Sequence, residues 1–363
     1  MPLMSPAKPS IGLCMIVKNE RSVIERCLRS VAPFVSCWTI VDTGSSDGTQ
    51  RHIKRVMAEL GLPGELHERP WLNFGHNRSE SIELARARSD YLLIIDADEV
   101  LIGLPGASLP LLVDDAYSLT MLHGDLRYGR TCLIKSSLNW RYVGVLHEYL
   151  DSGHEVVATA IPELSILYTT EGARSRNPTK YLDDAAVLEQ ALLAEPENSR
   201  YWYYLAQSWR DAGCHDKAIA CYKRRAELGG WAEEDWHSRY QIARLQEVLG
   251  CPEAEVINSY LAAYDFRPSR VEALVWLAVY LRQRSRWPTI KSLLETAMQV
   301  SYPSDNLFIE PDCYGWRRLD EYALALYYTG DKLGARKFWQ DAVVAGIFPA
   351  SELVRVHKNI QSC

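Results

Sequence analysis

Three features are missing from this sequence of 363 residues, and each absence excludes a class of protein. No apolar run is long enough to cross a bilayer, and the first ten residues lack the apolar stretch of a signal peptide, so we expect neither a transmembrane segment nor a secretion signal. The nine cysteines include no C-x-x-C pair, which predicts reduced thiols in a cytoplasmic protein. Basic residues are not in excess, because the formal net charge is -6, and this argues against nucleic acid as a partner.

The composition and the hydrophobic pattern suit two globular domains with different secondary structure. Hydrophobic residues make up 47% of the chain and charged residues 24%, which is ordinary for a globular protein. Short apolar runs alternate with helical periodicity in the first half, whereas helix-length amphipathic segments follow from about residue 177. We therefore predict an α/β domain over residues 1–176 and an all-α domain over residues 177–363.

The most informative stretch is an apolar run that ends in acids. Residues 91–95 suit a strand buried on both faces of a parallel sheet, and Asp96, Asp98 and Glu99 follow it directly. Unpaired charges at the edge of a core cost several kcal/mol, roughly, so a divalent cation is a natural partner. The other interpretation is that Asp96 or Asp98 caps the next helix.

Polar and glycine-rich turns follow the two strands predicted earlier in the chain. Residues 11–17 lead into Lys18-Asn19-Glu20, and residues 38–41 lead into a turn of small polar residues that ends at Thr49. Helical periodicity separates the apolar runs, so strand, helix and strand alternate as in a parallel sheet with right-handed crossovers. Ligands bind at the carboxyl ends of such strands.

Four motifs taken together resemble family 2 glycosyltransferases of the GT-A fold. They are Lys18-Asn19-Glu20, Val41-Asp42-Thr43-Gly44-Ser45-Ser46-Asp47-Gly48-Thr49, Asn73-Phe74-Gly75-His76-Asn77-Arg78 and Asp96-Ala97-Asp98-Glu99. The resemblance implies a Rossmann-like α/β domain that binds a nucleotide-diphosphate sugar, with a UDP-sugar favoured. It implies transfer of a hexosyl or N-acetylhexosaminyl group.

The same resemblance implies roles for individual residues. Asp42 would face the base or ribose, and Asn77 and Arg78 would lie near the nucleotide. Asp96, Ala97 and Asp98 would form the DXD motif, which serves the ribose and a metal bound to the diphosphate. The alternatives are that Asp42 only forms its turn and that Arg78 makes a surface salt bridge.

A metal and a base are the chemical requirements of sugar transfer. Mn²⁺ or Mg²⁺ held by Asp98 would stabilise the charge that develops on the departing diphosphate. A base must take the acceptor proton, and Glu148 is our candidate. Its neighbour His147 is a candidate metal ligand, because Tyr168 stands where the superfamily often has a histidine.

Other interpretations of these residues remain open. Glu148 and His147 also suit a surface glutamate beside a buried neutral histidine, and Asp125 or Asp151 would be the next candidate for the base. Arg174 and Arg176 suit either closure over the diphosphate or solvation in a polar loop.

The second half resembles an array of tetratricopeptide (TPR) repeats. The segment from Trp202 to Tyr222 carries the pattern, and similar small residues recur later. Intervals between Ala206, Ala243, Ala278 and Ala323 are 37, 35 and 45 positions. The period expected for this repeat is about 34, so the long last interval predicts a loop at residues 301–316.

We therefore predict an inverting, metal-dependent glycosyltransferase with a helical repeat domain. The repeats would hold a peptide, protein or glycan acceptor, or would join subunits into a homo-oligomer. The alternative is a repeat scaffold that carries a weakly active or inactive transferase domain. A sugar nucleotidyltransferase would need a lysine- and glycine-rich loop after the first strand, and Lys18-Asn19-Glu20 is not one.

Overall fold

The computed structural model of the protein describes residues 8–104, 109–124 and 126–363. The chain divides into two compact units, the first ending at Val187 and the second running from Leu188 to Cys363. The predicted domain boundary at residue 176 precedes a helix, Lys180–Ala194, that crosses this division.

An eight-stranded sheet forms the centre of the first unit. In chain order the strands are β1 (Ile11–Val17), β2 (Cys37–Asp42), β3 (Gly64–Glu68), β4 (Tyr91–Ile94), β5 (Val100–Gly103), β6 (Ala116–His123), β7 (Leu126–Lys135), β8 (Arg141–Val143), β9 (Tyr149–Asp151) and β10 (Thr159–Leu167). The large sheet has the order β3-β2-β1-β4-β7-β6-β10-β5, and β8 pairs with β9 separately. Strands β1 to β4 run parallel to one another, as the alternation of strands and helices predicts.

The second half of this sheet is mixed rather than parallel. Strand β7 runs antiparallel to both β4 and β6, and β5 runs antiparallel to β10. Only two residues separate β6 from β7, and a connection that short can join only antiparallel strands. The parallel sheet predicted for the first run of strands and helices is therefore present in β1 to β4. The antiparallel part is formed by strands for which the sequence predicted no direction.

Helices cover both faces of the parallel half. They are α1 (Ile24–Val31), α2 (Thr49–Glu59) and α3 (Phe74–Ala85). Helices α1 and α2 pack on the face of β1 that carries Leu13 and Met15. Helix α3 packs on the opposite face, through Ile82 and Ala85 against Cys14. Because successive side chains of a strand point to opposite faces, the apolar run of β1 supplies both cores.

The second unit is built from consecutive helix pairs. The remaining helices are α4 (Lys180–Ala194), α5 (Ser199–Asp211), α6 (His215–Leu228), α7 (Ala232–Leu249), α8 (Glu253–Phe266), α9 (Glu272–Arg282), α10 (Trp287–Met298), α11 (Pro311–Tyr314), α12 (Trp316–Tyr328), α13 (Lys332–Val344) and α14 (Ala350–Ser362). Ala206, Ala243, Ala278 and Ala323 are fully buried, so the small residues of the repeat lie where helices approach closely. No helix in the described ranges is both long and apolar enough to cross a membrane.

One close contact in the first unit sets the position of helix α3. A Cβ atom added at Gly75 would lie 2.1 Å from the carbonyl oxygen of Gly144, so only glycine fits there. The backbone N–H of Phe74 donates to the carbonyl of Val145 at 3.3 Å. The backbone N–H of Tyr142 donates to Oγ of Ser79 at 2.8 Å. The first turns of α3 are thereby fixed against the 142–148 segment.

We predict that Gly75→Ala destabilises the protein, because the new methyl group forces α3 and the 142–148 segment apart. Overpacking of this kind costs about 1–3 kcal/mol. Equilibrium urea unfolding measures the change. Gly129→Ala is the matched control, because its Cβ would meet nothing nearer than Ser118 Oγ at 3.9 Å. A Gly75→Ala protein as stable as the control would contradict this packing argument.

Candidate active site

The loops after β1 and β2 are tied together by hydrogen bonds. The backbone N–H of Asn19 donates to Ser45 Oγ at 2.8 Å, and that of Ser46 donates to Asn19 Oδ1 at 2.8 Å. The backbone N–H of Glu20 donates to Thr49 Oγ1 at 2.9 Å. Asn19 has a positive φ of 59°, a conformation that asparagine tolerates better than most residues. Since β1, β2 and β4 are parallel, these loops meet the acids after β4 at one edge of the sheet.

Asp42 is buried at the end of β2 and uses only one of its carboxylate oxygens. Oδ1 accepts the backbone N–H groups of Gly44 and Ser45 at 2.9 and 2.8 Å. It also accepts a hydrogen bond from Nε2 of Gln50 at 3.1 Å. Oδ2 has no hydrogen-bond partner among the described residues. A buried carboxylate oxygen without a donor is costly, so this atom is the place where a ligand N–H or O–H would be favoured.

Arg78 joins two carboxylates that are 52 residues apart in the chain. Its Nη2 donates to Asp96 Oδ1 and its Nε donates to Glu148 Oε1, both at 2.8 Å. The side chains of Arg78 and Glu148 are only 14% and 11% exposed, so this is not a solvated surface pair. The guanidinium carbon also lies 5.6 Å from the centre of the Tyr142 ring. Arg78 is therefore not the surface salt bridge of the alternative interpretation, and its contact with a nucleotide stays a prediction.

The shared arginine keeps the Asp96 carboxylate ionised. Burial opposes the charge of Asp96, but the guanidinium groups of Arg78 and Arg130 hold its pKa below the ordinary value. Burial likewise opposes the charge of Arg78, and the carboxylates of Asp96 and Glu148 nevertheless raise its pKa. Removing one member of such a buried set would leave an uncompensated charge, which costs about 3–5 kcal/mol.

Asp98 and Glu20 have a different environment, in which backbone N–H groups are their partners. Gly172 N–H donates to Asp98 Oδ2 at 3.2 Å. Ala173 N–H lies 3.2 Å from both carboxylate oxygens of Glu20. Burial and the Asp96 carboxylate raise the pKa of Asp98. Burial and the Asp98 carboxylate raise the pKa of Glu20 to about 7, against the opposing effect of the Ala173 bond. This side of the site therefore favours added positive charge.

One ion pair in the site was missed by reasoning from the sequence. Glu99 is fully buried and binds Arg130 of β7 through both oxygens, at 2.7 and 2.5 Å. The carboxylate of Glu99 also accepts the backbone N–H of Asp96 at 2.9 Å. Glu99 thereby fixes the turn that presents Asp96 and Asp98. An acid directly after the DXD triplet was the available signal, but its partner lies 31 residues away on a strand with no motif.

Two predicted nucleotide-binding residues have structural roles. Asn77 is fully buried, accepts the backbone N–H of Leu72 and donates to the carbonyl of Pro70, both at 3.0 Å. It thus holds the loop that leads into α3. Ala97 is buried in the core beside α1 and α2. Direct contact of either residue with a donor stays a prediction.

The residues considered for the base and the third metal ligand are spread over several elements. His147 is exposed and has a positive φ of 52°, next to Glu148. Asp151 in β9 pairs with Arg141 at 2.9 Å, and Asp125 lies outside the described residues. Tyr168 packs edge-on against the ring of His123, with centroids 5.0 Å apart.

The two arginines of the 169–176 segment have polar partners in the first unit. Arg174 pairs with Asp184, and its guanidinium carbon lies 4.3 Å from the centre of the Phe74 ring. Arg176 donates to Ser22 Oγ at 3.3 Å. Arg26 contacts Glu171 and donates to Thr169 Oγ1 at 2.8 Å. The segment is therefore fastened by side chains on both sides of the point where it meets Asp98.

The donor atoms of this site fit a divalent cation with few protein ligands. No three His, Cys, Asp or Glu side chains among the described residues form a group that could hold a metal ion. Asp98 offers a half-buried carboxylate whose charge is unfavourable without a cation. Mg²⁺ is commonly bound by one or two carboxylates, with phosphate and water oxygens completing its octahedron. Asp98 therefore fits such an ion, and His147 as a further ligand stays a prediction.

Comparison with known proteins identifies a family domain in the first unit. Residues 13–103 match the family described as Glycosyl transferase family 2, as the sequence motifs predicted. The matched range contains Asp42, Arg78, Asp96 and Asp98, whereas Glu148 lies beyond it.

Two curated relatives match part of the chain. A TPR repeat-containing protein of Synechococcus elongatus, Synpcc7942_0270, is 32% identical over 153 residues, which is 40% of this chain and 36% of that protein. The uncharacterized protein MT1568 of Mycobacterium tuberculosis is 32% identical over 108 residues, which is 28% of this chain and 31% of that protein. The chain spans about a third of the length of each relative.

Similar solved structures are repeat proteins. A crystal structure of MamA has a TM-score of 0.37 at 17% identity, covering 47% of this chain and 85% of that one. YrrB, described as a TPR protein with an unusual peptide-binding site, has a TM-score of 0.38 at 12% identity, covering 50% of this chain and 84% of its own.

We predict that Glu20→Gln stabilises the protein increasingly as pH rises. Because the pKa of Glu20 is raised from 4.5 to about 7, the folded state holds this proton more tightly than the unfolded state. The stability that this protonation contributes is present below pH 4.5 and lost as pH rises to about 7. Urea unfolding in chelator-containing buffers should show the variant gaining on the wild type across this interval, then no further change. A constant difference from pH 4 to 8 would contradict the assignment.

Proposed function

Proceeding from the family 2 match, we propose that this chain transfers a sugar from a nucleotide-diphosphate donor to an acceptor hydroxyl or amide, with inversion at the anomeric carbon. The observation that carries the proposal is the Asp96–Arg78–Glu148 chain of hydrogen bonds. It connects the acids after β4, where we expect the donor, to a carboxylate suited to act on the acceptor.

Asp42 supports a uridine donor. Its Oδ2 lacks a hydrogen-bond donor, and uracil carries a ring N–H that can supply one. The corresponding ring nitrogen of cytosine carries no hydrogen, so cytosine could donate to this oxygen only through its exocyclic amino group. A site with a buried acceptor discriminates strongly against a ligand that lacks the matching donor. We therefore favour a UDP-sugar, carrying a hexose or an N-acetylhexosamine.

Asp96 and Asp98 have different proposed roles, the first toward the ribose and the second toward the diphosphate. Asp96 is held ionised by Arg78 and would accept a ribose hydroxyl. Asp98 would hold Mn²⁺ or Mg²⁺, and the ion when bound supplies positive charge to the departing diphosphate. The backbone N–H of Gly172 donates to Oδ2 of Asp98. This hydrogen bond would either persist when the ion binds or break so that both carboxylate oxygens face the ion.

Glu148 is our candidate for the base. As the acceptor oxygen forms its bond to the anomeric carbon, the bond from that carbon to the diphosphate oxygen breaks, and the acceptor proton passes to Glu148. The nucleoside diphosphate leaves with the bonding electrons. The hydrogen bond from Arg78 fixes the direction of the Glu148 carboxylate, and the same arginine also binds Asp96.

The helical unit suits a polypeptide acceptor or a protein partner. Stacked helix pairs create an extended surface, and such surfaces commonly hold peptides or other proteins. A glycan acceptor or a second copy of the chain would use the same surface differently. The scaffold alternative, with an inactive first unit, predicts no turnover with any donor.

We predict that Asp98→Asn lowers turnover of a UDP-sugar by at least about 100-fold, because removal of one cation ligand weakens stabilisation of the leaving group. The protein should fold, since asparagine retains an oxygen that can accept the Gly172 N–H. Hydrolysis and transfer are measured with Mn²⁺ and with chelator. Asp90→Asn, at the opposite end of the same strand, is the control and should keep its activity. Wild-type turnover that chelator leaves unchanged would refute a metal at Asp98.

We predict that Glu148→Gln lowers kcat by about 10²–10⁴-fold and leaves donor binding nearly unchanged. Glutamine still accepts from Arg78 but cannot take a proton. Transfer kinetics and calorimetric donor titration separate the two effects. Glu155→Gln removes the same charge from an exposed position in a nearby loop and should behave like the wild type. If kcat of Glu148→Gln stays within about twofold of the wild type, another group is the base.

A further inference from the structure

A stretch of the chain between α10 and α11 lies against the helices of the second unit like a bound peptide. We call it the 303–310 segment. It has no helix or strand, and its exposure alternates with a period of two residues. Half-buried positions are Pro303, Asp305, Leu307 and Ile309, and exposed positions are Ser304, Asn306 and Phe308. This alternation is typical of an extended chain on a surface, although Phe308, with a positive φ of 44°, departs from the extended conformation.

Side chains of the helical array hold the backbone of this segment. Glu233 of α7 accepts the consecutive backbone N–H groups of Asn306 and Leu307 with a single oxygen, at 2.8 and 2.7 Å. Arg270, which precedes α9, donates to the carbonyls of Leu307 and Phe308 at 3.1 and 2.9 Å. Contacts to backbone groups do not depend on the side chains of the segment. The array therefore has the polar groups needed to bind an extended polypeptide.

Three further contacts select particular side chains. Asp305 binds Arg267 through both oxygens, and its Oδ2 lies 3.2 Å from Nη1 of Arg270. The carboxylate of Glu310 accepts hydrogen bonds from Tyr240 Oη at 2.6 Å and from Trp276 Nε1 at 2.7 Å. These contacts, with the inward-facing Leu307 and Ile309, define a pattern of acid, apolar, apolar and acid at relative positions 1, 3, 5 and 6.

The surface under the segment is formed by α7 and α9, which are the first helices of the consecutive pairs α7–α8 and α9–α10. Helix α7 contributes Glu233 and Tyr240, and α9 contributes Trp276. Arg270 is fully buried, packs 3.8 Å from the centre of the Trp236 ring and pairs with Glu272 at 2.8 Å. Glu272 belongs to α9, so loss of the segment would leave Arg270 this carboxylate. It would remove the two backbone carbonyls and the Asp305 carboxylate, which is unfavourable for a charge this deeply buried.

We propose that the 303–310 segment is an internal ligand that closes a polypeptide-binding surface on α7 and α9, and that a partner polypeptide with the same acidic and apolar pattern competes for it. An incoming chain of that chemistry supplies the same carbonyls and carboxylates, so exchange leaves no buried charge unpaired. The tethered segment has an effective concentration of about millimolar, so a free peptide of ordinary affinity cannot displace it. The inference rests on the proposed polypeptide-binding role of the helices and on nothing proposed for the first unit.

The test is whether loosening the segment opens the surface to the same peptide in trans. The triple variant Asp305→Asn, Leu307→Ser, Ile309→Ser removes three inward contacts in the full chain. The matched control Ser304→Ala, Asn306→Ala changes exposed side chains of the same segment. Fluorescence anisotropy measures binding of a labelled synthetic peptide with the sequence of residues 302–311. The triple variant should bind it at least tenfold more tightly than the wild type or the control, and a scrambled peptide should not bind.

Equal binding by the wild type and a folded triple variant would overturn the proposal, and so would equal binding of the scrambled peptide. If the triple variant lacks a cooperative melt, Leu307→Ser alone replaces it, and binding no tighter than that of the wild type overturns the proposal in the same way. UDP-sugar hydrolysis is measured on the same proteins. If the triple variant does not bind the peptide but the proteins hydrolyse the UDP-sugar, only the internal-ligand proposal is rejected. If none of the proteins hydrolyses the UDP-sugar, the result counts against the proposed transferase activity instead.

Discussion

The guanidinium of Arg78 is the group on which the candidate site depends, because it places two distant carboxylates in one hydrogen-bonded set. Asp96 follows a strand of the sheet, and Glu148 lies between the two strands of a separate hairpin. Only an arginine offers two N–H directions that reach both acids, each at 2.8 Å. Packing of Gly75 on Gly144 brings the helix and the hairpin close enough for this bridge.

The charges of the first unit are therefore distributed unevenly. Arg78 pairs with Asp96 and Glu148, and Arg130 pairs with Glu99, so each of these three acids has a guanidinium partner. Asp98 and Glu20 accept backbone N–H groups and have raised pKa values. A site that is neutralised on one side and short of positive charge on the other suits a ligand that arrives with a cation, as a nucleotide diphosphate does.

Much of this architecture could be predicted from local sequence, and the rest depends on contacts between distant residues. The strands that carry Asp42 and Asp96, and the helical repeat with its buried alanines, follow from apolar periodicity and spacing. The mixed half of the sheet does not, because the place of β5 beside β10 is set by pairing across more than 60 residues. The ion pair of Glu99 with Arg130 was not predicted either, because its two residues are distant in the sequence. The loop predicted at residues 301–316 has no helix or strand over residues 301–310, but its last part contains α11 and the first residue of α12. The contacts of this loop with α7 and α9 were not predicted, since side chains that bind backbone leave no motif.

The most direct test of the account is the melting temperature of the wild-type protein with UDP and with CDP, each measured with Mn²⁺ and with chelator. The account predicts that UDP with Mn²⁺ at 100-fold excess over its Kd raises Tm by about 5–10 °C. CDP at the same concentration should shift it much less, because it lacks the ring N–H for Asp42 Oδ2. No shift with either nucleotide up to millimolar concentration would contradict a nucleotide-diphosphate site at this edge of the sheet.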